Sequence, residues 1–218
     1  MHNVRGRAAA QASALHPSVL AETERDSAQR CRRVPYRPEH VDTYHEWMKS
    51  PELLEMTESE PLTIEEEREM QQSWARDDDK LTFILLDRTA PATPGVTERF
   101  GAGMCGDVNL FLNDDEDRAC GEIEVMVAET SSRGKGIGRE ALELMMGYCH
   151  RELGVTRFVA KILQSNGPSI ALFEKIGFRF VRKVEVFGEV HYELVVGGGA
   201  GAAARRAIEG ASVGAYDP

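Results

Sequence analysis

Cysteine is scarce and scattered in this chain. Cys31, Cys105, Cys120 and Cys149 are the four among 218 residues, and no two form a CxxC pair. That spacing argues against a zinc site or a disulfide framework and suits a reducing intracellular setting. Positive charge is also short: 26 Lys and Arg face 36 Asp and Glu, a formal net charge of −10. A dedicated binder of nucleic acid or of anionic membrane is disfavoured by that balance, and a basic partner such as an amine or a cationic peptide suits it. Apolar runs are short too, none approaching the ~20 residues of a transmembrane helix, and there is no internal repeat.

What is present, 42% hydrophobic and 28% charged residues, fits one domain with a modest core and ragged ends. Residues 1–32 are rich in Ala, Ser and Arg, as transit peptides are, but Glu22, Glu24 and Asp26 oppose that reading. A disordered or atypical segment is expected there, and the Gly/Ala-rich stretch 197–218 reads as a flexible tail. The domain is therefore expected over 33–196.

Within it, segments of helical and strand character alternate. Val41, Tyr44, His45 and Met48 recur at helical spacing after Pro38. Thr63 stands three residues before Glu66 at the head of a second helix, the pattern of a capping box. "KLTFILLD" reads as a buried strand, while "MCGDVNLFL" and "GEIEVMV" flank a turn-rich stretch and predict an antiparallel pair. A helix over about 136–152, the strand "RFVAKIL", a helix ending at Gly177 and a final strand pair around Gly188 complete the order. The expected fold class is mixed α/β, with helices on both faces of the sheet.

"EVMVAETSSRGKGIGREALELMM" sets Gly134, Gly136 and Gly138 between a strand and a long helix, with Arg133, Lys135 and Arg139 among them. Glycine in a helix costs about 1 kcal/mol against alanine, so the cluster needs a reason. A helix N-terminus presents free N–H groups and the positive end of its dipole to an anion, and glycine removes the Cβ that would hold the anion away. No Walker GxxxxGK run is present, and the GxGxG spacing departs from a dinucleotide fingerprint. From the loop alone, a phosphate cradle and a tight turn with no ligand stand about even.

Downstream residues break the tie. Arg133-x-x-Gly136-x-Gly138 resembles the R/Q-x-x-G-x-G/A motif of the GNAT superfamily of acetyl-CoA-dependent acetyltransferases, and "NGPSIALFEKIGF" resembles its second signature. The likeness spans about 34–196. "VPYRPEHVDTYHEWMKSPEL", "SEPLTIEEEREMQQSW", "GDVNLFL" and "GEIEVMV" together resemble the N-acetyltransferase-9-like branch. That branch has a longer apolar strand before "VPY", where this chain reads "SAQRCRRVPY".

The resemblance implies a GNAT fold with a mostly antiparallel sheet, acetyl-CoA as cosubstrate, and an amine acceptor on a protein N-terminus or lysine, with tubulin suggested. It further implies that Val125, Met126 and Val127 hold the pantetheine arm and supply an oxyanion donor. The loop Arg133, Gly134, Lys135, Gly136, Ile137, Gly138 and Arg139 would take the pyrophosphate, and Asn166 and Ser169 would meet the cofactor near its sulfur. No metal, nucleic acid or membrane partner is implied, and a cytoplasmic setting is expected.

Glu122 and Glu124 alternate with Ile123 and Val125, so both carboxylates point to one face of their strand. Either would relay a proton from the amine; Glu122 is expected to be the base and Glu124 a second base or an amine anchor. The slot where many GNAT enzymes carry an acid tyrosine holds Phe173, leaving Tyr44, Tyr148 and Tyr192 as substitutes by default. His40 and His45 are expected at the surface or lining the acceptor site. A rival reading, a weakly active or inactive acetyl-CoA-binding protein acting on microtubules, rests on Phe173 and the altered start.

Overall fold

The computed structural model describes residues 30–90 and 102–197. The expectations for the chain before residue 30 and for the tail from residue 198 lie outside the described residues.

Among the described residues seven strands form one sheet: β1 (Cys31–Pro35), β2 (Lys80–Asp87), β3 (Met104–Phe111), β4 (Cys120–Val127), β5 (Arg157–Leu163), β6 (Arg179–Val184) and β7 (Glu189–Val195). Their spatial order is β1-β2-β3-β4-β5-β7-β6, and only the β4–β5 pair is parallel. β1 takes up Cys31 and Arg32, just ahead of the expected domain start, because Cys31 pairs with Asp87 and buries its side chain completely.

Helices α1 (Val41–Trp47), α2 (Pro51–Met56) and α3 (Ile64–Trp74) cover one face; α4 (Ile137–Glu152) and α5 (Gly167–Ile176) cover the other. Alternation along the strands feeds both layers. Leu81, Phe83 and Leu85 join Leu142, Met146 and Phe173 beneath α4 and α5, while Ile84 and Leu86 meet Val41, Tyr44 and Trp47 on the opposite side. Two buried faces explain why "FILL", Phe83 to Leu86, is apolar throughout instead of alternating.

Local chemistry sets the helix ends. Thr63 accepts from Glu66 N–H while the Glu66 carboxylate accepts from Thr63 N–H at 2.8 Å, the expected capping box. Asn166 caps α5 by accepting from Ser169 N–H at 3.2 Å, and Gly177 closes it with φ 121°. No described helix is long and apolar enough to cross a membrane.

Candidate active site

The site is built on a parting of strands. β4 and β5 pair only at Cys120–Arg157, Gly121–Phe158 and Glu122–Val159; past Glu122 they separate, while β3 stays beside β4 as far as Val127. Among the described residues, one backbone edge of β4 from Ile123 onward therefore lacks a strand partner. Gly106 fixes this geometry from the β3 side, since a Cβ there would stand 1.9 Å from the Met126 carbonyl oxygen.

The chain then turns through Thr130–Ser132 to Gly134 (φ 73°) and Gly136 (φ 85°), which is the N-cap of α4. Among the described residues no side chain caps that end, which leaves the first N–H groups of α4 without a capping side chain there. A cavity of about 610 Å³ lies between the parted strands and this loop. Every candidate that the resemblance assigned to the cofactor lines it except Lys135.

The basic side chains of the loop are largely engaged with the protein. The Lys135 ammonium points away to Asp87 at 2.8 Å and to the Thr89 hydroxyl at 3.0 Å. Burial would raise the Asp87 pKa, but hydrogen bonds from Lys135, Thr89 and Ser132 outweigh it and hold the carboxyl below its usual range. Arg133 donates to the Val127 carbonyl at 2.9 Å and to Glu52 of α2 at 2.8 Å, which ties the loop to β4 and to the opposite helix layer. Arg139 pairs with Glu143 at 2.8 Å. Sequence reading passed over Arg30, whose guanidinium lies against Gly136, 2.8 Å from where a Cβ would stand. Its distance in sequence from the loop hid that neighbourhood.

A second cavity, about 290 Å³, opens on the α1–α3 face. Met56, Thr57, Val125, Met126, Asn166 and Ser169 line both, so the two meet where the strands part. Glu124 lines this second cavity and Glu122 does not. The Glu122 carboxylate is held by the Lys161 ammonium at 2.7 Å and the Asn113 amide at 2.9 Å. The two acids share a strand face, as expected, but their surroundings differ.

Cross-strand rows explain that difference: Lys80–Phe111–Glu122, Thr82–Asn109–Glu124 and Ile84–Asp107–Met126 lie side by side across β2, β3 and β4. Glu124 opens into the cavity and is wetted there, yet protein surrounds it elsewhere. Burial first, then the neighbouring Glu122 charge, lifts its pKa to about 7, against the opposing pull of the Lys80 ammonium. Asp107 is fully enclosed; it accepts from Tyr44 Oη at 3.2 Å and Asn109 Nδ2 at 2.9 Å, and burial raises its pKa.

Lys80, the first residue of the buried strand "KLTFILLD", is itself only 6% exposed. Its ammonium lies 3.7 Å from the Trp74 ring centroid and 3.6 Å from that of Phe111, a cation–π sandwich. Burial lowers its pKa to about 8. A charged residue opening an otherwise apolar strand was the available signal.

Phe173 lines the second cavity, edge-on to Phe178 at 4.9 Å between centroids. Of the substitute tyrosines, Tyr44 lines the cavity but donates its hydroxyl hydrogen bond to Asp107, Tyr148 is buried on the core side of α4, and Tyr192 donates to Glu174 at 3.0 Å. The expectation for His40 is corrected. It is 1% exposed, because its ring stacks on Tyr36 and its Nδ1 accepts from Arg37 N–H.

Residues 30–179 match the acetyltransferase (GNAT) domain family. The chain is 55% identical over 165 residues to a human protein named alpha/beta-tubulin-N-acetyltransferase 9, covering 75% of this chain and 79% of that one. It is 53% identical over 157 residues to an N-acetyltransferase 9-like protein of Nematostella vectensis, covering 72% and 78%. In fold it is similar to spermidine N-acetyltransferase from Vibrio cholerae in complex with CoA and spermine. That match has a TM-score of 0.64 at 15% identity and covers 76% of this chain and 95% of that one.

Proposed function

The chain belongs to the GNAT acetyltransferase family and is an acetyl-CoA-dependent N-acetyltransferase, and from that premise we propose that it acetylates the α-amine of a protein N-terminus, with Glu124 as base. The observation that carries this reading is that Glu124 lines the second cavity next in sequence to Val125 and Met126, which line both.

The larger cavity fits the cosubstrate. The uncapped start of α4 and the glycines before it suit a pyrophosphate, and the unpaired β4 edge suits the amides of a pantetheine arm. Acetyl-CoA supplies the activated acetyl group. Val125, Met126 and Val127 would hold the arm, and one backbone N–H among them would face the charge that builds on the thioester oxygen. Asn166 and Ser169, which line both cavities, would flank the reacting end. Lys135 would act indirectly by fastening the loop to Asp87.

Proton transfer argues for an α-amine. Its reference pKa is near 8 and that of a lysine near 10.4. A carboxylate of pKa about 7 is matched within roughly one unit to the first and more than three to the second. Glu122, engaged by Lys161 and Asn113, would position Lys161 and shape the field at Glu124. Phe173 leaves no phenol at its slot, and the low basicity of the departing thiolate makes water a sufficient proton source.

Tubulin is the acceptor we propose, since relatives covering most of this chain are named for it; a cytoplasmic setting follows from that acceptor. The test uses labelled acetyl-CoA with purified tubulin and with peptides bearing a free N-terminus or a blocked N-terminus plus one lysine, mass spectrometry locating the acetyl group. Label on the free N-terminus is expected; transfer confined to lysine overturns the α-amine reading.

A further inference from the structure

We infer that Lys80 is a positioning residue for the proton transfer: its ammonium, held between two aromatic rings without a hydrogen bond to any acid, is the counter-charge that lets Glu124 ionise while leaving the carboxylate oxygens free. This rests on the reading of Glu124 as base.

The surroundings of Glu124 are acidic. Facing its carboxylate are Glu122 on the same strand, Asp107 on β3, Lys80 on β2 and Lys161 on β5. Glu58, from the segment after α2, lines the same cavity. Acids outnumber lysines, a balance that favours a cationic acceptor but penalises an ionised base. The two lysines offset that penalty differently. Lys161 closes on Glu122 at 2.7 Å and occupies an oxygen of that carboxylate. The Lys80 ammonium makes no hydrogen bond among the described residues, and the rings of Trp74 and Phe111 hold it instead. Among the described residues no hydrogen bond or ion pair engages the Glu124 carboxylate either.

Register explains that separation. Lys80 shares a row with Phe111 and Glu122, and Glu124 stands one row on and two strands across. Phe111, on the strand between, is one of the two rings. The charges nonetheless act on each other. Burial lowers the Lys80 pKa to about 8 against the pull of the acids that face it, Glu124 first, then Asp107, Asp77 and Glu122. Lys80 is in turn the stronger of the two lysines that oppose the burial of Glu124. Its ammonium is mostly present at neutral pH, where Glu124 titrates. Two strand spacings are ~10 Å, and a unit charge at that distance moves a carboxyl by about one pH unit at an effective dielectric constant near 20.

The test reads both titrations in the protein without substrate, by NMR of isotope-labelled Glu Cδ and Lys Cε, each signal assigned by its loss in the matching variant. It also follows kcat/KM against pH for an α-amine peptide. Lys80→Met, similar in size and uncharged, should raise the Glu124 titration by about one pH unit and carry the acid limb of kcat/KM up with it. Activity at pH 6.5 should then fall roughly tenfold, while activity at pH 9 and CoA affinity by calorimetry stay near wild type. Lys80→Arg keeps the charge and should leave both at or below their wild-type pH. Coupling is reciprocal, so Glu124→Gln should lower the Lys80 titration by a similar amount, a response that a lysine serving only to fill space would not give. A Glu124 titration unmoved in Lys80→Met overturns the inference, whether or not Glu124 proves to be the base. Should the acid limb persist in Glu124→Gln, the reading of Glu124 as base falls first and takes this inference with it.

Discussion

Glu124 is held between two demands: an ionised carboxylate is needed to accept a proton, and its surroundings disfavour ionisation. With a pKa raised to about 7 it is largely protonated below that pH. The rate for an α-amine acceptor should therefore climb as pH rises through 7, and Glu124→Gln should abolish that limb and lower kcat by roughly 10²–10⁴. Glu122→Gln, whose parent carboxylate is spent on Lys161 and Asn113, should cost about tenfold or less. Stability carries the opposite sign. A carboxyl with a raised folded-state pKa stabilises fully below its unfolded value near 4.5, and this contribution is lost as pH rises through 7. Glu124→Gln should hence raise Tm at pH 8 and leave it unchanged at pH 4, as read by thermal melts at both pH values. Equal shifts at both would separate Glu124 from the assigned titration.

Among the elements, β4 is the one whose shape the site depends on. It must stay joined to β3 while leaving β5, and Gly106 permits the close approach on the β3 side. Gly106→Ala would drive a methyl into the Met126 carbonyl and should destabilise the fold by about 3 kcal/mol, the upper end for ordinary substitutions. Gly138→Ala makes the contrast. There a Cβ would find ordinary contacts 3.5 Å from Leu172 and Val127, so stability should hold or rise slightly given the helix preference for alanine. Urea unfolding of both variants checks the pair, and equal losses would show that backbone approach at Gly106 is not what matters.

At the scale of the whole molecule, the larger cavity is lined by both helix layers, with Glu52, Leu53 and Met56 of α2 facing Pro168, Ser169 and Leu172 of α5 across the parted strands. A ligand seated there links halves of the fold that otherwise meet through the sheet. Acetyl-CoA at 100 times its Kd should add about 2.7 kcal/mol, or roughly 5–10 °C in Tm for a chain of this size. Dephospho-coenzyme A should do nearly as well and ATP much less, because ATP lacks the pantetheine arm that the β4 edge suits. Equal shifts from ATP would indicate a nucleotide site and contradict the cofactor reading.

The sequence by itself determined the elements and the cofactor side of the site. Period and capping placed α3 and α4, the run "LTFILL" placed a doubly covered strand, and the glycines announced the loop, because each signal is local in the chain. Eleven of the twelve cofactor candidates line one cavity for the same reason: they sit on β4, the turn after it, and two helix starts. The acceptor side was decided by tertiary structure alone. Strand pairing, which joins residues far apart in sequence, set Lys80 beside Phe111 and Glu122, and Asn109 beside Glu124. Alternation put Glu122 and Glu124 on one face but was silent on which would meet Lys161 and which a cavity. That choice came from where β5 leaves β4, a property of the sheet that no single strand carries.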